Sequence, residues 1–142
     1  MKAGLGQLVD DHARIEAGAD AIMAELALTH PRTSELTRRL ASIADEVSTH
    51  IAIENMILAE CDQATLSSAW REVWEDGKEG FRALCADWAT FLGEWNADCI
   101  NADLAGFRQA ATDVLGRLRE RTQAESRSFY LIALQTSVVA FR

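Results

Sequence analysis

The stretch Leu36-Thr-Arg-Arg-Leu40-Ala-Ser-Ile43-Ala-Asp-Glu-Val47-Ser-Thr-His50-Ile-Ala-Ile-Glu54-Asn-Met-Ile57 sets the pattern for the whole chain. Its apolar positions advance by alternating steps of four and three, the spacing that lines one face of an α-helix. Carried forward from Val47, the rhythm lands on His50 and Glu54 before it returns to Ile57 and Cys61. Arg38, Arg39, Asp45 and Glu46 fall off that face. Two ionisable side chains therefore occupy positions that the period assigns to the interior.

The same steps recur on both sides of this segment. Upstream they run through Leu5, Leu8, His12, Ile15, Ala19, Ile22 and Leu26, and the helix is expected to end near Thr29, where His30-Pro31 breaks it. The second helix then begins around Thr33 or Ser34. A third is predicted roughly from Leu66 to Trp95, with Trp70, Trp74, Gly77, Phe81, Leu84, Trp88, Phe91 and Trp95 on its stripe. Asn96 to Asn101 reads as a connection, and Asp103 as the N-cap of a fourth helix. That helix presents Phe107, Ala111, Val114, Leu118, Arg121, Glu125, Ser128 and Ile132. Four such helices joined by short loops predict an all-α fold, an antiparallel up-down-up-down four-helix bundle in which residues 1–142 form one domain.

Composition agrees with that expectation. The chain has 142 residues, 49% of them apolar, with one proline and eight glycines, enough for one core but few turns for a many-stranded sheet. Its 22 acidic against 14 basic residues give a net charge of -8, which opposes a phosphate backbone and argues against a nucleic-acid partner. Met1 to Asp10 holds no apolar run of signal-peptide length, so a cytoplasmic location is expected. Phe129 to Phe141 is mostly apolar but shorter than the ~20 residues of a membrane span. It reads as the end of a packed helix, or as a contact with a second copy or another protein. Cys61, Cys85 and Cys99 are too widely spaced for a thiolate zinc site and read as reduced. The tryptophans read as core filling. No Ser/His/Asp set or glycine-rich phosphate loop stands in the chain, so no catalytic residues are assigned.

The chemistry lies on the seam, where His12, His50, Glu54, Arg121 and Glu125 coincide. An unpaired buried charge costs several kcal/mol, so each of these needs a partner or a metal. Imidazole and carboxylate from facing helices suit iron, manganese or zinc in a bundle core, and His50 and Glu54 stand one turn apart on one face. Glu16, one turn after His12, lies off the seam.

With those residues in place, the chain resembles the hemerythrin-like (HHE cation-binding) family. The resemblance runs through Leu8-Val-Asp-Asp-His12-Ala-Arg-Ile15, His50-Ile-Ala-Ile-Glu54-Asn-Met-Ile-Leu58 and Glu125-Ser-Arg-Ser-Phe-Tyr130. It implies a four-helix bundle with a non-heme di-iron centre that binds dioxygen or senses oxygen, nitric oxide or redox state. It also implies that His12 and His50 ligate one iron and that Glu54 and Glu125 bridge two. Where the resemblance calls for histidines on the second iron, this chain has Lys78 and Arg121. Neither cation offers a lone pair.

Three arrangements follow. His12, His50, Glu54 and Glu125 hold one metal, with Arg121 neutralising a carboxylate that would otherwise bridge. Alternatively no metal binds, and Arg121 with Lys78 replaces the lost iron in a buried network, leaving a protein-interaction or signalling module. In the third, Glu75 and Glu79 substitute for the missing histidines, although both flank Gly77 and are expected to face solvent. An Arg121 within hydrogen-bonding reach of Glu54 or Glu125 favours the metal-free network.

Overall fold

The computed structural model describes residues 3–62, 68–130 and 139–140. Its helices are α1 (Leu5–Leu26), α2 (Thr33–Asp62), α3 (Ser68–Glu94), α4 (Ala97–Ala102) and α5 (Leu104–Ala124), and a π-helical turn follows over Glu125–Phe129. The fold is all-α, as the apolar period predicts. The described residues add one two-residue parallel pairing, β1 (Ala3–Gly4) with β2 (Val139–Ala140). No helix among them is long and apolar enough to cross a membrane.

Most described seam residues are buried, although Gly77, Trp95 and Arg121 are half-buried, and Asp11, Glu25, Leu115 and Thr122 are buried off the seam. Ile15, Ile22, Leu36, Ile43, Leu84 and Phe107 join one apolar cluster drawn from α1, α2, α3 and α5. Trp74 and Trp88 are buried, so the tryptophan stripe fills the core where it is described. Around Phe107 the Phe91 ring stacks at 5.8 Å and the Trp95 ring meets it edge-on at 5.5 Å. The side chains of Leu5, Cys61, Trp70 and Ser128, together with Ile132, lie outside the described residues.

Helix boundaries differ from expectation in three places. α1 stops at Leu26 rather than near Thr29. The Leu26 carbonyl accepts a 3.0 Å hydrogen bond from Arg108 of α5, and the Glu25 carboxylate takes Arg32 at 2.6 Å, so side chains satisfy the end of the helix. The expected connection over Asn96–Asn101 contains a helix, α4, capped by Asn96, whose side chain accepts from the Cys99 N–H at 2.9 Å. Ile100 anchors it in the core at 0% exposure. Six residues are too few for an apolar period to register. α3 ends at Glu94, one residue before Trp95. The fourth seam helix does begin at Asp103, whose carboxylate accepts from the Gly106 N–H at 2.9 Å.

This cap makes a test. A methyl group at position 106 would collide with the Asp103 carboxylate. Gly106→Ala is therefore expected to lower the melting temperature, although the exchange in an open helix gains about 1 kcal/mol. In an Asp103→Ala background the same exchange is expected to raise it, and a double-mutant cycle by thermal melting reads the reversal.

Candidate metal centre

Four helical segments bring the site together. α1 supplies His12, α2 supplies His50 and Glu54 one turn apart, the last turn of α5 supplies Arg121, and Glu125 opens the π-turn. His12, His50, Glu54 and Glu125 are 5%, 6%, 3% and 1% exposed, so water cannot answer their charge. Each offers a ligand atom within 4.8 Å of the others, and the group can hold a metal ion.

Three of these atoms form a tight triangle. His12 Nε2 lies 3.1 Å from His50 Nε2 and 2.8 Å from Glu125 Oε1, and His50 Nε2 lies 3.3 Å from the same oxygen. Ionised Glu125 only accepts, so both imidazoles must donate to it, which leaves two N–H groups facing each other. Any other tautomer sets lone pair against lone pair along one edge. A cation at the centre removes the conflict, because all three atoms then present lone pairs to it. The spacing fits as well: donors about 2.0–2.2 Å from a metal stand about 2.8–3.1 Å apart at right angles and about 3.3–3.6 Å apart at tetrahedral angles.

The far side of the carboxylates belongs to Arg121. Its Nε donates to Glu125 Oε2 at 2.9 Å, and its Nη2 lies 3.7 Å from Glu54 Oε2. Nη1 donates to the Gly77 carbonyl at 2.7 Å, and the guanidinium sits 5.1 Å from the Phe81 ring centre. The half-buried glycine on the α3 stripe thus offers its backbone to the site. Lys78 forms an ion pair with Glu75 at 3.1 Å. Glu75 has half its side chain exposed and Glu79 is exposed, as expected of residues flanking Gly77.

Three residues at this site escaped the sequence reading. The Tyr130 hydroxyl lies 2.6 Å from His12 Nε2 and 3.4 Å from both His50 Nε2 and Glu125 Oε1. Asp11 Oδ2 lies 3.5 Å from His50 Nδ1, and Ser126 Oγ lies 3.3 Å from His12 Nδ1. Ser126 is at hydrogen-bond distance and can hold the proton on His12 Nδ1, which turns that Nε2 lone pair inward, whereas Asp11 faces His50 Nδ1 as a charge partner without a hydrogen bond. Asp11 gave a faint signal, being an acidic residue beside a seam histidine. Glu16 instead accepts from Thr122 at 3.1 Å, off the triangle.

The neighbours set the proton inventory. Burial works against the His50 imidazolium, but hydrogen bonds to Glu125 and Glu54 and their charge outweigh it and raise its pKa to about 10. Burial, then the hydrogen bond and charge of Glu125, push Glu54 up to about 8 against the pull of His50 and Arg121. Burial also opposes ionisation of Glu125, yet hydrogen bonds from Glu54, His12 and His50 hold it well below the ordinary carboxylate range. Burial and the carboxylate charges drive the Tyr130 phenol far upward.

A groove of about 500 Å³ lined by His12, Glu16, Thr122, Ser126 and Arg127 gives access from solvent to the edge of the site. Comparisons with family models, with curated proteins and with solved structures find no match.

The proton inventory predicts a pH profile for chelator-treated protein. Native His50 keeps its proton up to about 10, whereas the unfolded chain releases it near 6.5, so unfolding releases protons between those values. Glu54 acts in the same direction between 4.5 and about 8. The melting temperature is therefore expected to fall as pH rises from 6.5 to 10, and Glu54→Gln is expected to flatten the part below 8.

Proposed function

We propose that this chain is a hemerythrin-like, up-down-up-down four-helix bundle that binds one non-heme iron and uses it to bind or sense dioxygen, nitric oxide or redox state. The observation that carries this is the triangle of His12 Nε2, His50 Nε2 and Glu125 Oε1, whose hydrogen-bonding roles conflict unless a cation sits among them. Two imidazoles and a carboxylate are the donors that suit ferrous or ferric iron. Glu54, 3.4 Å from His50 Nε2, is placed to join them. Arg121 takes the outer oxygen of Glu125, where a bridging carboxylate would meet a second metal, so the centre is mononuclear. A cavity of about 30 Å³ bordered by His50, Phe81, Trp88 and Glu125 has room for one diatomic molecule.

A second reading has a specific observation in its favour. Arg121 within 2.9 Å of Glu125 fulfils the condition for a metal-free network, in which the guanidinium answers the carboxylates and the fold acts as an interaction or signalling module. Metal content with an absorption spectrum after expression in iron-rich medium separates the two. Near one iron per chain is the expected result, whereas no bound metal under iron, manganese and zinc supplements leaves the metal-free module.

Two further outcomes are expected. Iron at 100 times its dissociation constant stabilises the fold by about 2.7 kcal/mol. Thermal melting is expected to register that shift in the parent chain and to lose it in His12→Ala and His50→Ala. At neutral pH His50 and Glu54 each hold a proton that a divalent ion displaces. Calorimetry in buffers of different ionisation enthalpy is therefore expected to report release of about two protons per ion.

A further inference from the structure

We propose that Tyr130 is itself a metal ligand, its phenolate oxygen adding to the His12, His50 and Glu125 donors that Glu54 is placed to join, and selecting ferric iron. The inference rests on the metal-binding reading above and adds a donor outside its His/Glu set.

The geometry carries it. His12 Nε2, His50 Nε2, Glu125 Oε1 and Tyr130 Oη have six mutual separations, running only from 2.6 to 3.4 Å. Four atoms so spaced outline a tetrahedron. With edges of about 3.1 Å, its centre lies about 1.9 Å from each corner, close to the bond lengths that imidazole nitrogen and carboxylate oxygen form with a metal. The phenol is held there firmly. Tyr130 is 2% exposed, and its ring stacks on the His12 imidazole at 5.2 Å.

The backbone delivers it by a device confined to this point of the chain among the described residues. The Tyr130 N–H closes on the Glu125 carbonyl five residues back, across the π-turn. In an α-helix a residue five positions on points well away from its partner, whereas the wider π-turn returns it to the same face. A hard anionic oxygen beside imidazole and carboxylate favours a trivalent ion over a divalent one. When ferric iron is supplied as its nitrilotriacetate complex, the phenol O–H bond breaks and its proton passes to buffer, while the iron–nitrilotriacetate bonds break, the chelator leaves to solution and an iron–phenolate bond takes its place. No electron moves.

The chain has one tyrosine, so a tyrosinate signature has a single source. Chelator-stripped protein is reloaded with ferric nitrilotriacetate or with zinc, and followed by metal analysis, visible absorption and resonance Raman. The expected result is one iron per chain, a visible phenolate-to-iron charge-transfer band, and tyrosinate ring modes that shift when the protein carries ring-deuterated tyrosine. Tyr130→Phe is expected to keep iron and lose the band. The isotope shift in the parent chain stands even where that variant does not fold. Bound iron without tyrosinate modes, or a band that survives in Tyr130→Phe, overturns the role of Tyr130 and leaves the metal site standing. Absence of both bound iron and bound zinc overturns the metal site itself, and the Tyr130 ligand with it.

Discussion

Glu125 keeps 1% of its surface exposed, and its carboxylate is held ionised. A buried charge left unpaired costs several kcal/mol, so the fold must meet it from within. It does so on both sides. Oε1 faces the two imidazoles of α1 and α2, and Oε2 faces the Arg121 guanidinium one turn earlier in its own helix. Arg121 in turn reaches the Gly77 carbonyl, which brings α3 into the same network. One carboxylate, directly and through Arg121, thus ties together the long helices α1, α2, α3 and α5.

That arrangement constrains the chemistry on each face. The Arg121 face is saturated by a permanent cation with planar, directed donors, which suits it to hold the carboxylates in place. The histidine face is the adaptable one. There the raised pKa values of His50 and Glu54 mark protons held by electrostatic need, and a divalent ion replacing both leaves the net charge of the core unchanged. Were a metal to bind, its exchange with those protons would be governed by ligand geometry more than by the cost of burying charge. The groove beside His12 and Ser126 brings solvent to that face.

Much of this was legible in the alternating steps of three and four. The steps placed His12, His50, Glu54, Arg121 and Glu125 on inward faces, and all five meet at one site. Burial of residues at a fixed spacing is a local consequence of helix geometry, which is why it can be read without the fold. Asp103 as a cap was legible for the same reason, being a short-range bond between a side chain and the third N–H beyond it. The early end of α1 was not, because Arg108, which holds the Leu26 carbonyl, comes from a helix 82 residues away. α4 was hidden by its length, since six residues give no period to detect.

The amino-acid sequence by itself determined the four long helices, their inward faces, and the five ionisable residues committed to the interior, because all of these follow from periodicity along one chain. The tertiary structure alone decided how those charges are shared. Which carboxylate oxygen meets Arg121 and which meets the imidazoles depends on how separate helices approach one another, a relation that no local spacing encodes. It also decided Tyr130, which the α-helical period turns away from Glu125 and the π-turn turns back. One extra residue in that single turn brings Tyr130 onto the face of Glu125.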